Sequence, residues 1–305
     1  MRCRICKREG AEIFAFSMQL CNECFVDLFE RRVFRVIKKY KLVEPEDRIA
    51  VAVSGGKDSL TSLYLLNKFV KREGVNVEIF AYHINLGINE FSQHAEKIVR
   101  KNAKALGVEL ILSNLKKEFG FSLVDVRSKL KHRNICSYCG LIKRYLSNKV
   151  PREKGMNKLA TGHHMDDFLV FFLKNMASKN FSWIGKFQPK LVGSGGMLTR
   201  IRPLFEVGAK EISTYAKVIG LESLEEKCPY SSLGRGRRKR ELYYQMFYKF
   251  EEFEPNFRLM LIRGVKELAE NMPKTSIKLR KCKLCGEPTN LEICGFCKLL
   301  KLMKK

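Results

Sequence analysis

The sequence predicts an α/β fold, a doubly wound parallel sheet with helices on both faces. Three observations support this fold class. Short apolar runs alternate with amphipathic segments through the middle of the chain, as strands and helices of such a sheet do. A glycine turn follows the first apolar run, at the place where a helix of this fold begins. Paired C-x-x-C spacings stand at both ends of the chain, outside the alternation, so we expect small metal-binding ribbons there.

The alternation of strands and helices can be followed along the chain. A linker helix with apolar residues at helical spacing is predicted in FVDLFERRVFRVIKKYKL. Strands are predicted in DRIAVAVS, NVEIFAYHINLGI, VELILSN and the first part of NKLATGHHMDDFLVFFLKN. Helices are predicted in KDSLTSLYLLNKFVKREG, which Gly74 ends, in EFSQHAEKIVRKNAKALG and in the rest of the last segment. A helical extension is predicted beyond about residue 230.

Polar segments follow three of the predicted strands. They are the glycine turn at residues 54–56, residues 83–88 and residues 163–167. Because ligands of a parallel α/β sheet bind beyond the carboxyl ends of its strands, we expect these segments to converge on one cleft. His83, His163 and Arg202 are candidate cleft residues, and purely structural roles stay equally open for each of them.

The chain is strongly basic. Its 305 residues include 58 Lys and Arg against 32 Asp and Glu, a net charge of +26. Such a surplus lies mostly at the surface, since unpaired buried charges are costly. It predicts a polyanionic partner, most simply a nucleic acid, whose counterions Lys and Arg release. A soluble protein that is merely basic is the alternative.

The sequence carries no feature of membrane insertion or secretion. The N-terminal segment MRCRICKREG is charged where a signal peptide needs an apolar run. The most apolar segment, FLVFFLKNMA, is broken by Lys174 and is far shorter than the roughly 20 residues of a membrane span. We therefore expect a cytoplasmic protein. In that compartment its eleven cysteines indicate metal binding rather than disulfides.

Eight of the cysteines form two paired sets. Four thiolates in two C-x-x-C turns are the ligands of a closed, tetrahedral structural zinc site. Redox dithiols and a rubredoxin-type iron site are the alternatives, but neither explains why the pattern occurs twice. The predicted zinc ligands are Cys3, Cys6, Cys21 and Cys24 at one end and Cys282, Cys285, Cys294 and Cys297 at the other.

These patterns predict a division of the chain into five parts. They are an N-terminal zinc ribbon (1–26), a linker helix (27–44), the α/β domain (45–230), a basic helical segment (231–275) and a C-terminal zinc ribbon (276–305).

Three cysteines remain, Cys136, Cys139 and Cys228. Three thiolates cannot close a tetrahedral structural site, but they can hold a metal that keeps one open position. On a [4Fe–4S] cluster they leave one iron without a protein ligand. Buried free thiols and a cysteine pair for redox or persulfide chemistry are the alternatives, and counting alone does not decide among them.

The glycine turn predicts a phosphate-binding loop that is not of the Walker A type. In VAVSGGKDSL, Lys57 is followed by Asp58, and Gly55 and Gly56 are adjacent, whereas a Walker A loop places Ser or Thr directly after its Lys. Backbone N–H groups and the positive helix N-terminus favour an anion here. Lys57 adds a charge, Ser59 a hydroxyl, and Asp58 either a helix cap or a Mg²⁺ contact.

The segment S-G-G-K-D-S after the first strand resembles the PP-loop of the ATP pyrophosphatase superfamily. The resemblance implies that the loop holds the β- and γ-phosphates of ATP while the α-phosphate is attacked. The implied ATP-binding residues are Ser54, Gly55, Gly56, Lys57, Asp58, Ser59, His83 and Gly162.

Further segments resemble tRNA 2-thiolation enzymes of the TtcA/TtuA type. They are INLGI, CSYC, ATGHHMDD, RIRPLFEVGAKEI and CPYS, in that order. The two zinc ribbons resemble the TtuA branch, which thiolates uridine. The resemblance implies a [4Fe–4S] cluster on Cys136, Cys139 and Cys228 whose free iron takes sulfide. It also implies a homodimer, and a sulfur donor that is either a ubiquitin-like thiocarboxylate or free sulfide.

The implied reaction has two steps. The C2 oxygen of a tRNA uridine attacks the α-phosphate of ATP with the help of Mg²⁺, and sulfide then replaces the resulting AMP ester at C2. Lys143 is the implied catalytic lysine, with Asp166 or Asp167 beside it. A helix N-cap pair is the structural alternative for the two aspartates. Uridine 34 and uridine 54 both stay open as the target.

Two residues depart from the family pattern. His164 stands where the family usually has Asn, and Phe168 where it usually has Glu. Two other functions therefore stay open: a non-catalytic tRNA-binding paralogue, and another adenylating PP-loop ligase such as a lysidine synthetase.

The basic run RGRRKR opens the helical extension. Together with Tyr243, Tyr244 and Phe247 it predicts a surface that faces RNA. The alternative is a solvated start of a helix.

Overall fold

The computed structural model describes residues 1–130, 134–231, 235–272 and 279–304. The side chains of residues 235–239 are outside this description, and with them most of the basic run RGRRKR. The predicted boundary between residues 275 and 276 also lies outside the described residues.

The described residues form strands and helices in alternation through the middle of the chain. The strands are β1 (Ile13–Ala15), β2 (Met18–Leu20), β3 (Arg48–Ala52), β4 (Glu78–Asn85), β5 (Glu109–Asn114), β6 (Lys158–Thr161), β7 (Lys190–Leu191), β8 (Thr199–Ile201), β9 (Arg280–Lys281) and β10 (Pro288–Thr289). The α-helices are α1 (Asn22–Lys39), α2 (Lys57–Glu73), α3 (Asn89–Leu106), α4 (Leu115–Phe119), α5 (Leu123–Lys129), α6 (Ile135–Glu153), α7 (Met165–Ala177), α8 (Ala209–Val218), α9 (Arg235–Phe253), α10 (Phe257–Asn271) and α11 (Gly295–Lys304). No helix among them is long and apolar enough to cross a membrane.

Within the described residues, a six-stranded sheet forms the centre of the molecule, in the order β5-β4-β3-β6-β8-β7. Its strand pairs are parallel except for β7 with β8. The chain adds β4 and β5 on one side of β3 and then crosses over to add β6 and β8 on the other. The carboxyl ends of β3 and β6 therefore flank a topological switch point, where ligands of such sheets bind. The predicted α/β fold class is confirmed.

Helix α1 packs on the central domain. It begins at Asn22, three residues before the predicted linker helix, so that Cys24 lies in its first turn and the predicted boundary between residues 26 and 27 falls inside it. The buried ring of Phe29 stacks on Tyr215 of α8, with 4.4 Å between the ring centroids. This contact and its buried apolar face attach α1 to the domain instead of leaving it as a free linker.

The C-terminal ribbon packs against α6. Its strands β9 and β10 pair antiparallel, as β1 and β2 do in the N-terminal ribbon. Phe296 of α11 is fully buried and stacks on Tyr145 of α6, with ring centroids 4.0 Å apart. Because Cys136 and Cys139 lie near the start of α6, this ribbon supports the helix that carries two of the three remaining cysteines.

Helices α9 and α10 form the expected helical extension and lie against α7. The prediction that Phe247 faces RNA is wrong, because its side chain is only 1% exposed and belongs to the main core. Tyr244 is half-buried, and its hydroxyl donates a hydrogen bond of 2.8 Å to Asp167. The interior side of α9 therefore holds the aromatic residues that the sequence assigned to its surface.

Candidate active site

A cavity of about 580 Å³ lies beyond the carboxyl ends of β3, β4 and β6. The three polar segments expected to meet in one cleft all contribute to its wall. Of the predicted catalytic and ATP-binding residues, the wall contains Ser54, Gly56, Asp58, Ser59, His83, Cys139, Lys143, Gly162 and Cys228. It does not contain Gly55, Lys57, Cys136, Asp166 or Asp167.

The phosphate loop is held in shape by its own backbone and by Ser59. Gly55 has a φ of 87°, in the left-handed region, and a Cβ there would lie 3.2 Å from the carbonyl oxygen of Ala95. The hydroxyl of Ser59 donates to the carbonyl oxygen of Gly56 at 2.9 Å and accepts from the N–H of Ser54 at 3.1 Å. Gly56 is the N-cap of α2. The positive end of a long helix is thus available to an anion at the cavity.

Gly162 lets the loop after β6 approach the phosphate loop. A Cβ at Gly162 would lie 2.7 Å from the backbone nitrogen of Ser59. Only glycine permits so close an approach of two backbones. The residue therefore shapes the cavity floor without offering a side chain.

Asp58 fits a cation contact better than a helix cap. No side chain caps α2. One carboxylate oxygen, Oδ1, is buried and receives no hydrogen bond from the described residues, although the Nζ of Lys57 lies 3.1 Å away. A carboxylate oxygen with open lone pairs on the wall of a phosphate site suits Mg²⁺, which prefers oxygen ligands.

His83 lines the cavity with a buried imidazole. The imidazole is 3% exposed, and its Nδ1 lies 2.8 Å from the carbonyl oxygen of Val53. Burial lowers the pKa of His83, so the neutral ring donates from Nδ1 and keeps a lone pair at Nε2. Nε2 is buried and has no partner among the described residues.

The three remaining cysteines lie around one end of the cavity. Cys139 and Cys228 are half-buried in its wall, and Cys136, one turn before Cys139 on α6, is exposed. Burial raises the pKa of the Cys139 thiol, and the neighbouring charge of Lys143 opposes this effect. Cys228 and Cys136 lie close enough for their charges to raise the pKa of Cys139 as well.

The thiols of this triad are spaced differently from those of the terminal sets. In the described residues, only the two terminal sets of four cysteines bring their sulfur atoms all within 4.8 Å of one another. A single ion needs such close sulfurs, whereas a four-iron cluster holds its cysteines farther apart because iron and sulfide atoms stand between them. Three thiolate donors with this wider spacing fit a [4Fe–4S] cluster in donor chemistry.

Lys143 lies one turn after Cys139 on α6 and on the same cavity wall. Its charge opposes the burial that raises the pKa of Cys139 and adds to the burial that lowers the pKa of His83. No carboxylate pairs with Lys143 in the described part of the chain. An ammonium without a carboxylate partner, on the wall that it shares with the thiols and the phosphate loop, is free to stabilise a negative charge that develops in the cavity.

Asp166 is bound within the fold and does not reach the cavity. It is 0% exposed and receives hydrogen bonds from the backbone N–H of Ala209 at 2.7 Å, the guanidinium of Arg258 at 3.0 Å and the hydroxyl of Tyr248 at 3.1 Å. Arg258 also binds Glu211. This environment gives Asp166 a structural position, which differs from the catalytic role that the sequence suggested.

Asp167 does not line the cavity, although its near neighbour His163 does. Besides the hydroxyl of Tyr244, the Nε2 of His164 lies 3.5 Å from its carboxylate. Burial would raise the pKa of Asp167, but the neighbouring groups His164, His163, Tyr244 and Arg240 together outweigh it and lower that pKa. His163 does line the cavity, and burial lowers its pKa while Asp167 opposes this. Neither aspartate caps α7, whose N-cap is His164.

The residues that depart from the family pattern lie in the core. Phe168 is 3% exposed and packs on Phe205, with 5.1 Å between the ring centroids. The guanidinium of Arg202 lies over the Phe168 ring at 4.8 Å and donates to the carbonyl oxygens of Lys186 and Gln188. Burial lowers the pKa of Arg202 to about 10. Arg202 therefore has a structural role and is not a cleft residue.

Sequence reasoning missed two arginines of the cavity wall, Arg144 and Arg200. Arg200 lies on β8 two residues before Arg202. Because Arg202 lies just beyond the end of β8, the alternation of strand faces gave no basis for choosing between the two arginines. Arg144 directly follows Lys143 on α6. This position next to a predicted catalytic lysine was the signal by which it could have been found.

Each terminal set of cysteines forms a compact cluster of sulfur atoms. In the N-terminal set the sulfurs of Cys6 and Cys21 are 3.7 Å apart, as are those of Cys285 and Cys294 in the other. Burial opposes ionisation of Cys282, but backbone N–H groups lower its pKa to about 6. Both clusters have the donor set and spacing of a tetrahedral metal site.

The chain is similar in sequence and in fold to known proteins. Residues 27–233 match the family described as PP-loop domain. The chain is 37% identical over its whole length to the tRNA-5-methyluridine(54) 2-sulfurtransferase of Pyrococcus horikoshii and covers 95% of that protein. It is 30% identical to the protein of the same name from Thermus thermophilus, over 98% of this chain and 91% of the relative. Among solved structures it is similar to the U34-tRNA thiolase NcsA from Methanococcus maripaludis with its [4Fe-4S] cluster. That match has a TM-score of 0.81 at 27% identity and covers 99% of this chain and 96% of the other.

Proposed function

The chain belongs to the PP-loop family of tRNA 2-thiolation enzymes, and from this premise we propose that it is an ATP-dependent tRNA-uridine 2-sulfurtransferase. One observation carries the proposal. A single cavity has the phosphate loop, Lys143 and the thiols of Cys139 and Cys228 on its wall. ATP binding alone would require the loop but not the thiols. Activation of a base and delivery of sulfur to it require both in one place.

In the proposed first step, the C2 oxygen of the uridine attacks the α-phosphate of ATP. The bond to pyrophosphate breaks, and the base becomes an AMP ester. The N–H groups of the loop and the N-terminus of α2 hold the β- and γ-phosphates. Asp58 would hold Mg²⁺ through its open carboxylate oxygen, and Lys143 stabilises the charge that develops on the reacting oxygens.

In the second step, sulfur bonds to C2 and the C2–O bond breaks, so that AMP leaves with the former carbonyl oxygen. Cys136, Cys139 and Cys228 would hold a [4Fe–4S] cluster, which when bound supplies an iron without a protein ligand for sulfide. Asp167 is proposed to act through its charge on His163, which lines the cavity. Asp166 is proposed to stabilise the fold through its bonds to Arg258 and Ala209.

Further features complete the proposal. Zinc is the metal proposed for the two sets of four cysteines, and tRNA is the anionic partner that a charge of +26 favours. We also propose a homodimer, a cytoplasmic location and a sulfur donor that is either a ubiquitin-like thiocarboxylate or free sulfide.

The proposal is tested anaerobically with iron–sulfide-reconstituted protein, unmodified tRNA, ATP, Mg²⁺ and sulfide. Nucleoside mass spectrometry should detect 2-thiouridine that requires ATP and is lost in Cys228→Ser. Mass mapping of RNA fragments then assigns position 54 or position 34. Binding of tRNA without any thiolation would support the non-catalytic paralogue. AMP release that persists in Cys228→Ser without thiouridine would support another PP-loop ligase.

A further inference from the structure

The only tryptophan of the chain, Trp183, is at the surface with a cation beside it. It lies in a short 3₁₀ helix (Phe181–Lys186) and is 49% exposed. The Nζ of Lys186 lies 3.9 Å from the centroid of its ring. A large aromatic face that is held in place by an ammonium and left open to solvent is suited to stacking on another ring.

The backbone of Lys186 is hydrogen-bonded to the residue that follows β8. Arg202 donates a hydrogen bond of 2.9 Å to the backbone carbonyl oxygen of Lys186. Two residues before Arg202 is Arg200, which lines the cavity together with Arg144. Arg144 and Arg200 on the cavity wall and Lys186 on the ring of Trp183 therefore form a series of cations.

Within the part of the chain that the structure describes, these cations have no counter-charge. Among the described residues, neither a carboxylate nor another acceptor binds the side chains of Arg144, Arg200 or Lys186. Burial and the charge of Arg144 lower the pKa of Arg200, and burial and the charge of Arg200 lower that of Lys186. A nearby arginine of α6 does have a partner, since Arg152 binds Glu287 at 2.5 Å. Clustered like charges without a counter-charge favour a bound anion.

We infer that Arg144, Arg200, Lys186 and Trp183 form a cationic track that binds the RNA backbone and stacks one base beside the target uridine. This inference rests on the proposed function. A uridine must leave its stack before its C2 can enter the cavity, and a protein ring can replace the lost stacking partner. The triphosphate of ATP is not the anion expected at these cations, because the phosphate loop already binds it. An aromatic face next to a row of cations is the combination that single-stranded nucleic acid sites use.

The test uses the full-length protein and unmodified tRNA. Because Trp183 is the sole indole, its fluorescence reports on this position alone. Titration with tRNA should quench it to saturation, and ATP alone should not. We expect Trp183→Ala to bind tRNA about tenfold more weakly and Trp183→Phe, which keeps a ring, to retain most of the affinity. In Lys186→Gln the slope of log K against log salt should fall by about 0.7 to 0.9.

The matched control is Lys104→Gln. Lys104 is exposed on α3, which contacts β5 at the opposite edge of the sheet from β7 and β8. Its replacement should leave the Trp183 response to tRNA intact. Fluorescence that saturating tRNA leaves unchanged, or tRNA binding by Trp183→Ala that equals that of Trp183→Phe, would overturn the inference.

Two outcomes separate this inference from the proposed function. If Arg144→Gln and Lys186→Gln weaken ATP binding and leave tRNA binding unchanged, the cations belong to the triphosphate site and the inference is wrong, while thiolation by the wild type stands. If the wild type quenches with tRNA but makes no thiouridine, the track stands and the proposed function is rejected.

Discussion

The backbone N–H of Leu224 donates a hydrogen bond of 2.8 Å to the carbonyl oxygen of Gly55. This bond joins the phosphate loop to the segment 221–228, which ends at Cys228. Leu224 and Cys228 both line the cavity. The nucleotide site and the third cysteine are therefore connected through one short stretch of backbone.

Gly55→Ala is expected to weaken ATP binding at least tenfold and to increase alkylation of Cys228. An alanine at a φ of 87°, with Ala95 3.2 Å from the new Cβ, strains the loop and shifts the carbonyl that Leu224 binds. The control is Gly74→Ala, which has a φ of 63° but open space around it at the far end of α2. It should cost about 1 kcal/mol of stability and leave ATP affinity unchanged. Equal ATP affinity in the two variants would contradict the assignment.

Asp166→Asn and Asp167→Asn are expected to fail in different ways. Loss of the Asp166 charge leaves the buried Arg258 short of a counter-charge and should cost about 3 kcal/mol or more in urea unfolding. Asp167→Asn keeps an oxygen for Tyr244 and should cost about 1 kcal/mol. Its single-turnover thiolation rate should nevertheless fall at least tenfold, because His163 loses a neighbouring charge. The reverse pattern would make Asp166 the functional aspartate.

Stability should depend on pH through His83. Burial lowers the pKa of His83 below the ordinary value of 6.5, so below that pH the unfolded chain binds a proton that the folded chain does not. The contribution is fully present above about pH 6.5 and is lost as the pH falls toward the folded pKa. The free energy of unfolding should therefore decline less between neutral pH and pH 5 in His83→Gln than in the wild type. Parallel curves for the two proteins would refute this.

Metal loss at the two ends should have unequal effects on the triad. Cys297 packs in the same apolar cluster as Ile135 and Tyr138, at the start of α6. Cys24 packs with the main core instead. Under the proposed zinc assignment, both Cys297→Ser and Cys24→Ser should lose about half of the zinc content, but only Cys297→Ser should lose most of its capacity for iron reconstitution. Zinc and iron contents measured on the same samples decide the point, and equal iron in both variants would show that the C-terminal ribbon does not support the triad.

Patterns within short segments of the sequence predicted the features that depend on the spacing of residues along the chain. The apolar period predicted four of the six strands of the central sheet, β3 to β6, and missed the short strands β7 and β8. The chain order of the predicted strand ends predicted which loops meet at the cavity. C-x-x-C spacing predicted the two compact cysteine sets. The features that depend on packing between distant elements could not be predicted. Arg258 reaches Asp166 across 92 positions, and Phe247 is buried in the main core on a helix that packs against α7 and α10.

The most direct test of the central claim measures AMP and 2-thiouridine in the same reaction. If one cavity both adenylates the base and delivers sulfur to it, the wild type should release one AMP for each thiouridine formed, and neither should form without tRNA. Cys228→Ser should make no thiouridine, although its phosphate loop still binds ATP. Thiouridine formation by Cys228→Ser at the wild-type rate, or AMP release that does not require tRNA, would contradict the account.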